Sequence, residues 1–287
     1  MDDQTKEAIS ATAKKAERIA EEVVERPWVR AFSRIGFLAK GFLFLVIGLS
    51  AILLATGMQG GRITDPAGAM AAIAQYSAGK FLLTIFFIGA LGHGVWNILR
   101  GIADVDGVGK GIKGIIARSA SVGVGIFYFI LAATAFTIVL THSVSEENGR
   151  AEETVAWIFL SIPLGAVVIL IVALGFWGVA IHECYSGISG KFQENYKTWK
   201  LTPAMEKFAM LLGVISFSTR AFLYVLVGYF FFLAANLNDP SQAQGIDGAL
   251  LSLAQSRYGS ILLLVSGFGL FCNGVLAFFE AKYRRIC

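Results

Sequence analysis

The stretch RIGFLAKGFLFLVIGL, Arg34 to Leu49, carries a lysine inside an apolar run long enough to enter a bilayer. At a shift of 180 residues the chain reads VISFSTRAFLYVLVGY, Val214 to Tyr229, with Arg220 in the place of Lys40. The same shift aligns Phe37, Phe42, Leu43 and Gly48 with Phe217, Phe222, Leu223 and Gly228. Without a gap it also aligns Gly68, Ala74, Gln75 and Gly79 with Gly248, Ala254, Gln255 and Gly259, and Gly94-Val95 with Gly274-Val275. A shift of 84 places Arg34 on Arg118, Gly41 on Gly125, Phe44 on Tyr128 and Gly94-Val95 on Gly178-Val179. The chain therefore reads as three copies of one helix hairpin. The middle copy is degenerate, with Val124 at the Lys40 position and Ala132 at the Gly48 position.

Composition agrees that these runs meet lipid. Of 287 residues, 56% are hydrophobic and 15% charged, against about 25% charged in an ordinary soluble domain. Six runs approach the length of about 20 apolar residues that a bilayer core requires, at 35–57, 79–101, 117–141, 158–182, 211–236 and 258–280. Backbone groups find no water in hydrocarbon, so the runs are expected to be helices; no ten-residue alternation suggests a barrel. The expected fold is all-α: a six-helix membrane bundle of three parallel tandem hairpins preceded by an N-terminal amphipathic helix. Its expected divisions are 1–30 for that helix, 31–110 and 111–190 for the first two hairpins, and 191–287 for a connector with the third.

Orientation follows from basic residues in short loops. The segment to Arg34 carries seven Lys or Arg, Arg100 to Arg118 four, Glu183 to Met210 four, and the tail three; the alternate loops carry Arg62, Arg150 and Arg257 alone. Both termini are expected in the cytoplasm of a multi-pass inner-membrane protein. The first 30 residues lack the apolar core and cleavage site of a signal peptide.

The three two-helix copies, the basic-small-aromatic triplets Lys40-Gly41-Phe42 and Arg220-Ala221-Phe222, and Gly94-Val95-Trp96 in a second helix together resemble a bacterial family, domain of unknown function 1206. The resemblance covers roughly residues 30 to 285 and implies a six-span inner-membrane protein. It supplies no activity, cofactor or catalytic residue.

The candidate site residues are few. Lys40 and Arg220 either snorkel to the headgroups or face, with Arg34 and Arg118, a cytoplasmic vestibule that binds an anion or a lipid headgroup. His93 and Asn97 share one helix face beside Gly89, Gly92 and Gly94, which suits a polar helix-packing pair. His93 and His182 are the candidates for a haem, as axial histidines on facing helices. His142 belongs to an outer loop with Glu146, Glu147, Glu152 and Glu153, expected to form a solvated turn. No Asp or Glu falls deep in any expected span, which leaves little to drive proton or cation transport. Cys184, Cys272 and Cys287 form no CxxC, and no GxSxG, HExxH or phosphate-binding glycine loop appears, so no metal and no catalytic residue is expected.

Two segments outside the spans suit partners. From Gln4 to Glu25, Ile9, Ala13, Ala16, Ala20, Val23 and Val24 recur at helical spacing before Pro27. In GKFQENYKTWK, Lys191, Lys197 and Lys200 alternate with Phe192, Tyr196 and Trp199, which suits a membrane-surface segment. The expected function is non-enzymatic, without cofactor or nucleic acid: a structural or accessory subunit of a membrane assembly, in contact with lipid and with partners through the N-terminal helix. The alternatives are a small channel or transporter with a cationic vestibule, and a haem-binding electron carrier.

Overall fold

A computed structural model describes residues 27–58, 70–71, 73–75, 77, 79–104, 107–109, 111–141, 151–196 and 201–284. The expectations for Gln4–Glu25, His142, Glu146, Glu147, Lys197, Trp199 and Lys200 lie outside the described residues. Among the described residues there are eight α-helices: α1 Pro27–Ala55, α2 Gly79–Ile102, α3 Ile112–Thr141, α4 Ala151–Leu160, α5 Gly165–Ser189, α6 Pro203–Leu237, α7 Ile246–Gln255 and α8 Gly259–Tyr283. Six of these, α1, α2, α3, α5, α6 and α8, are long and apolar enough to cross a membrane, and the protein is a multi-pass membrane bundle. The short α4 and α7 sit between spans at the end of the bundle opposite Pro27 and Arg284. We call these the far end and the terminal end.

The fourth span is displaced from its expected position. Residues 158–182 read as one apolar run, but the helix stops at Leu160 and restarts at Gly165. Proline interrupts a helix because its ring displaces the preceding turn and it has no N–H to donate. Pro163 is followed by Leu164 with φ at 66°, a left-handed conformation. The span therefore runs on to Ser189, which carries His182 and Glu183 inside the helix and not at its end. Glu152 and Glu153, expected in a solvated turn, occupy the first turn of α4, where carboxylates complement the helix dipole. The fifth span starts earlier than its apolar run. Thr202 accepts a hydrogen bond from Met205 N and Pro203 opens the helix, the usual chemistry of an N-terminus.

The third hairpin turns at the far end through Asn238, left-handed at φ 51°, and a one-turn 3₁₀ helix, Pro240–Gln242. Hydrogen bonds from Gln242 and Ser241 hold the Asp239 carboxyl below the usual carboxylate range. The repeat is legible in the core here: Met70 and Ile73 are buried, as are Leu250 and Leu253 at the shift of 180.

Packing follows the repeat, with one break. The extensive contacts join successive copies: α2 with α3, α5 with α6, and α8 with α1. Within the first and third copies α1 also packs on α2, and α6 on α8. The helices thus form a horseshoe, α3-α2-α1-α8-α6-α5, whose two ends are the helices of the middle copy. Among the described residues α3 and α5 make no comparable contact.

Glycine sets the close approaches. A Cβ on Gly41 would lie 2.9 Å from the Gly274 carbonyl oxygen, and one on Gly94 3.0 Å from that of Gly125. These are equivalent contacts between successive copies, as small residues at membrane helix crossings allow. In the middle copy the pattern changes. Gly178, equivalent to Gly94 and Gly274, meets nothing within 4 Å, and Trp177 instead packs on Gly228 and donates its indole N–H to the Val225 carbonyl at 3.2 Å.

Candidate functional site

The charged residues of the spans collect toward the terminal end of the bundle, between α1, α5, α6 and α8. Arg220 on α6 reaches α5, where its Nη2 lies 2.5 Å from Glu183 Oε2. Its Nη1 donates to Asn273 Oδ1 on α8 at 3.4 Å, and its guanidinium lies 4.5 Å from the Phe217 ring centroid one turn back. Glu280 on α8 pairs with Arg284, one turn on, at 2.8 Å. The Arg284 guanidinium in turn lies 5.2 Å from the ring of Phe37, the repeat equivalent of Phe217. Lys40 sits half-buried among these groups, and the charges bearing on it are those of Glu280, Arg220, Arg284 and Glu183.

The carboxylates of the cluster stand toward the terminal ends of their helices and are nevertheless buried. Glu183 and Glu280 are inside α5 and α8, with side chains only 15% and 8% exposed. Both stand at or just beyond the edges expected for their spans. Only the true helix ends place them within the bundle. Their pairing also changes the cationic vestibule, because Arg220 is neutralised by a residue 37 positions away. Such a pair leaves no local pattern.

The four candidate cations separate into two groups. Lys40 and Arg220 belong to the charged cluster. Arg118 does not: its Nε and Nη2 donate to the carbonyls of Gly101 and Ile102 at 2.7 and 2.5 Å. Arg34 Nη1 contacts the Lys282 carbonyl at 3.5 Å, and Lys282 is equivalent to Ile102. Arg34 and Arg118, aligned by the shift of 84, thus do one job: each meets carbonyl oxygen in the last turn of the second helix packed against its own, where a cation also complements the dipole.

His93 is buried in α2. Its ring makes edge contacts with Phe37 and Tyr128 at centroid distances of 5.0 and 4.4 Å. The Asn97 side chain shares its buried face but donates back to the His93 carbonyl at 2.8 Å, within one helix and not across two. His182 lies on the exposed side of α5, its Nε2 3.4 Å from Ser186 Oγ. One imidazole is enclosed by aromatic rings and the other faces outward, so the two candidate haem ligands do not share a site. Among the described residues no group of three or more His, Cys, Asp or Glu could hold a metal.

The positions equivalent to His93 are Trp177 and Asn273, a match the repeat spacing itself contains. Each copy places a side chain with a ring or amide nitrogen at one point of its second helix. Asn273 is almost fully buried and meets Arg220.

The connector after α5 also departs from expectation. Phe192 and Tyr196 are buried against the protein and do not face outward. Gly190, left-handed at φ 68°, turns the chain into a 3₁₀ helix, Lys191–Asn195, beneath the bundle. Phe192 stacks on Phe217 at 4.9 Å and occupies the space a side chain on Gly213 would need. Tyr196 is fully buried against Phe279 at 5.5 Å and pairs by an isolated backbone bridge with Arg284. Burial pushes the Tyr196 phenol well above its ordinary range.

One feature unites these residues. Among the described residues, the buried side-chain atoms with no hydrogen-bond partner are His93 Nδ1, Tyr196 Oη, Arg220 Nε and Asn273 Nδ2. All four border the charged cluster. Arg220 Nε and Asn273 Nδ2 can only donate, and Tyr196 Oη can donate. Buried polar groups are normally paired, since an unpaired one costs about 1–3 kcal/mol.

Fold and repeat define a class: an all-helical, multi-pass membrane protein of three tandem hairpins around a buried polar cluster. The chain belongs to the family DUF1206, Domain of Unknown Function, which matches it three times, at residues 35–104, 120–190 and 215–284. It is 28% identical over 261 residues to a Bacillus subtilis (strain 168) protein named Uncharacterized protein YxxB, covering 91% of this chain and 93% of the relative. No solved structure matches it.

Proposed function

We propose that this protein is a non-enzymatic inner-membrane protein that binds an anionic oxygen group in the cluster around Lys40 and Arg220. The observation that carries this reading is the concentration of unpaired donors beside an unpaired cation. Three basic residues, Lys40, Arg220 and Arg284, stand against two acidic ones, Glu183 and Glu280. Both carboxylates are engaged by arginines, and Lys40 makes no hydrogen bond or ion pair among the described residues. A charge left uncompensated inside a membrane bundle is costly. A bound oxyanion would neutralise Lys40 and accept from the free Arg220 and Asn273 N–H groups.

The accessory-subunit role is a second element of this proposal, resting on the segment Gln4–Glu25. The charge bias of the loops supports a cytoplasmic terminal end for both roles, which puts the cluster at the inner leaflet.

The test is thermal unfolding of the protein purified in neutral detergent, with and without anionic additives: phosphate, sulfate and phosphatidylglycerol. A ligand specific for the folded state at a hundred times its Kd adds about 2.7 kcal/mol. The expected result is a raised Tm with at least one additive, lost in Lys40→Gln and restored in Lys40→Arg. Equal responses in wild type and Lys40→Gln would remove the reading. Mass spectrometry of proteins co-eluting from native membranes tests the accessory role, which requires a stoichiometric partner.

A further inference from the structure

We infer that the occupant of this cluster is a phospholipid whose phosphate enters sideways from the bilayer, between α3 and α5. The inference rests on the anion-binding reading above and specifies both the ligand and its path.

The path follows from the way the repeat breaks. In the first copy Ala39 of α1 touches Gly89 of α2: a Cβ on Gly89 would lie 2.9 Å from that of Ala39. In the third copy the equivalent pair, Thr219 of α6 and Gly269 of α8, is again in contact. The equivalent residue of the middle copy is Gly123 on α3, and a Cβ there would meet nothing within 4 Å. The neighbouring position tells the same story. Val124 lies one turn before the buried Tyr128 on the same face and is equivalent to Lys40 and Arg220, yet it is 42% exposed. Its inward-facing position lacks the cover that a packed second helix supplies in the other two copies. The second helix of the middle copy, α5, makes extensive contact among the spans with α6 alone, and it carries Glu183, whose carboxylate holds Arg220. The seam between α3 and α5 therefore leads from the lipid-facing surface to the level of the charged cluster.

Among the described residues, two helix crossings and the terminal end are tightly packed. Backbones meet at Gly41 and Gly274 between α1 and α8, and at Gly94 and Gly125 between α2 and α3. Toward the terminal end, Phe192 on Phe217 and Tyr196 on Phe279 form an aromatic floor, tied to α8 by the backbone bridge to Arg284. A soluble anion arriving from the terminal end would have to pass this floor. A phospholipid already has its chains in the apolar medium outside the seam and its phosphate near the depth of an inner-leaflet cation, so the charge of the site and the surface of its entrance both suit one molecule.

The experiment compares two probes and two kinds of variant on the full-length protein in neutral detergent. Native mass spectrometry with phosphatidylglycerol should give a one-to-one adduct, and inorganic phosphate at millimolar concentration should not displace it. Gly123→Trp fills the seam at a position with room for the side chain. It should weaken lipid binding at least tenfold without lowering the unliganded Tm. Ala120→Trp, at the exposed position one turn nearer the terminal end, serves the same purpose if Gly123→Trp does not fold. If lipid binding survives both tryptophans but is lost in Lys40→Gln, the lateral route is wrong and the anion site stands. If inorganic phosphate competes on equal terms, the ligand is a soluble anion and the inference fails. If Lys40→Gln binds every probe as wild type does, the anion site itself is wrong.

Discussion

Arg220 and Glu183 show how a buried charge is tolerated here. The two side chains are 13% and 15% exposed and sit on different helices of different copies. Removing one partner of a buried pair typically costs about 3–5 kcal/mol, because the other charge is left without compensation. Glu183→Gln is therefore expected to destabilise the bundle by roughly that amount, whereas adding Arg220→Met should recover much of the loss. Denaturant titration in detergent of both single variants and the double variant measures the coupling; strictly additive losses would mean that the pair is not a unit. Lys40 was legible as an anomaly because a charge within an apolar run stands out in one dimension. Its relation to Glu183, Arg284 and Asn273 was not legible, since each contact depends on the rotation of a separate helix about its axis.

At the level of elements, glycine distinguishes helices that touch from helices that do not. Gly48 on α1 faces α8, where a Cβ would run into the backbone of Phe271, and one on Gly267 would lie 2.9 Å from the Gly48 carbonyl oxygen. Gly48→Leu should force α1 and α8 apart and cost several kcal/mol, on the order of other overpacked sites. Gly123→Ala should do the opposite and stabilise α3 by up to about 1 kcal/mol, since it removes a helix-disfavouring glycine from open surroundings. Thermal unfolding of the two variants side by side checks both directions. Equal effects would contradict the assignment of α3 to an open edge. The spans of α1, α2, α6 and α8 were readable from apolar length because they are continuous. The start of α5 was not, because Ile162 and Leu164 keep the run apolar while Pro163 and the left-handed Leu164 end one helix and begin another.

For the whole molecule, the repeat predicts a ring and the chain builds a horseshoe. Three copies inserted in the same sense are related by an approximate axis along the bundle, and two of the three hairpins obey it. The middle one lacks its internal contact and keeps only the contacts between successive copies, α3 on α2 and α5 on α6. Loop charge predicts the orientation of this horseshoe in the membrane. In a cysteine-free background, a membrane-impermeant maleimide should label Tyr258→Cys in intact cells and Glu194→Cys only after the inner face is opened. The reverse pattern would invert the topology and place the charged cluster in the outer leaflet.

The sequence by itself determined the number of spans, their tandem repetition and the family, because each is a property of composition and spacing along one dimension. It also marked Lys40 and Arg220 as equivalent positions. Only the tertiary structure decided what those positions do. Equivalent cations acquire different partners when one copy diverges: Arg220 is satisfied by Glu183 and Asn273, while Lys40 has only the field of its neighbours. Likewise, Val124 reads as decay of a repeat, and the packed bundle places it on a seam. The physical reason is that helix contacts are set by which faces meet at close range. That depends on the bulk of side chains from several helices at once, and no single stretch of sequence contains it.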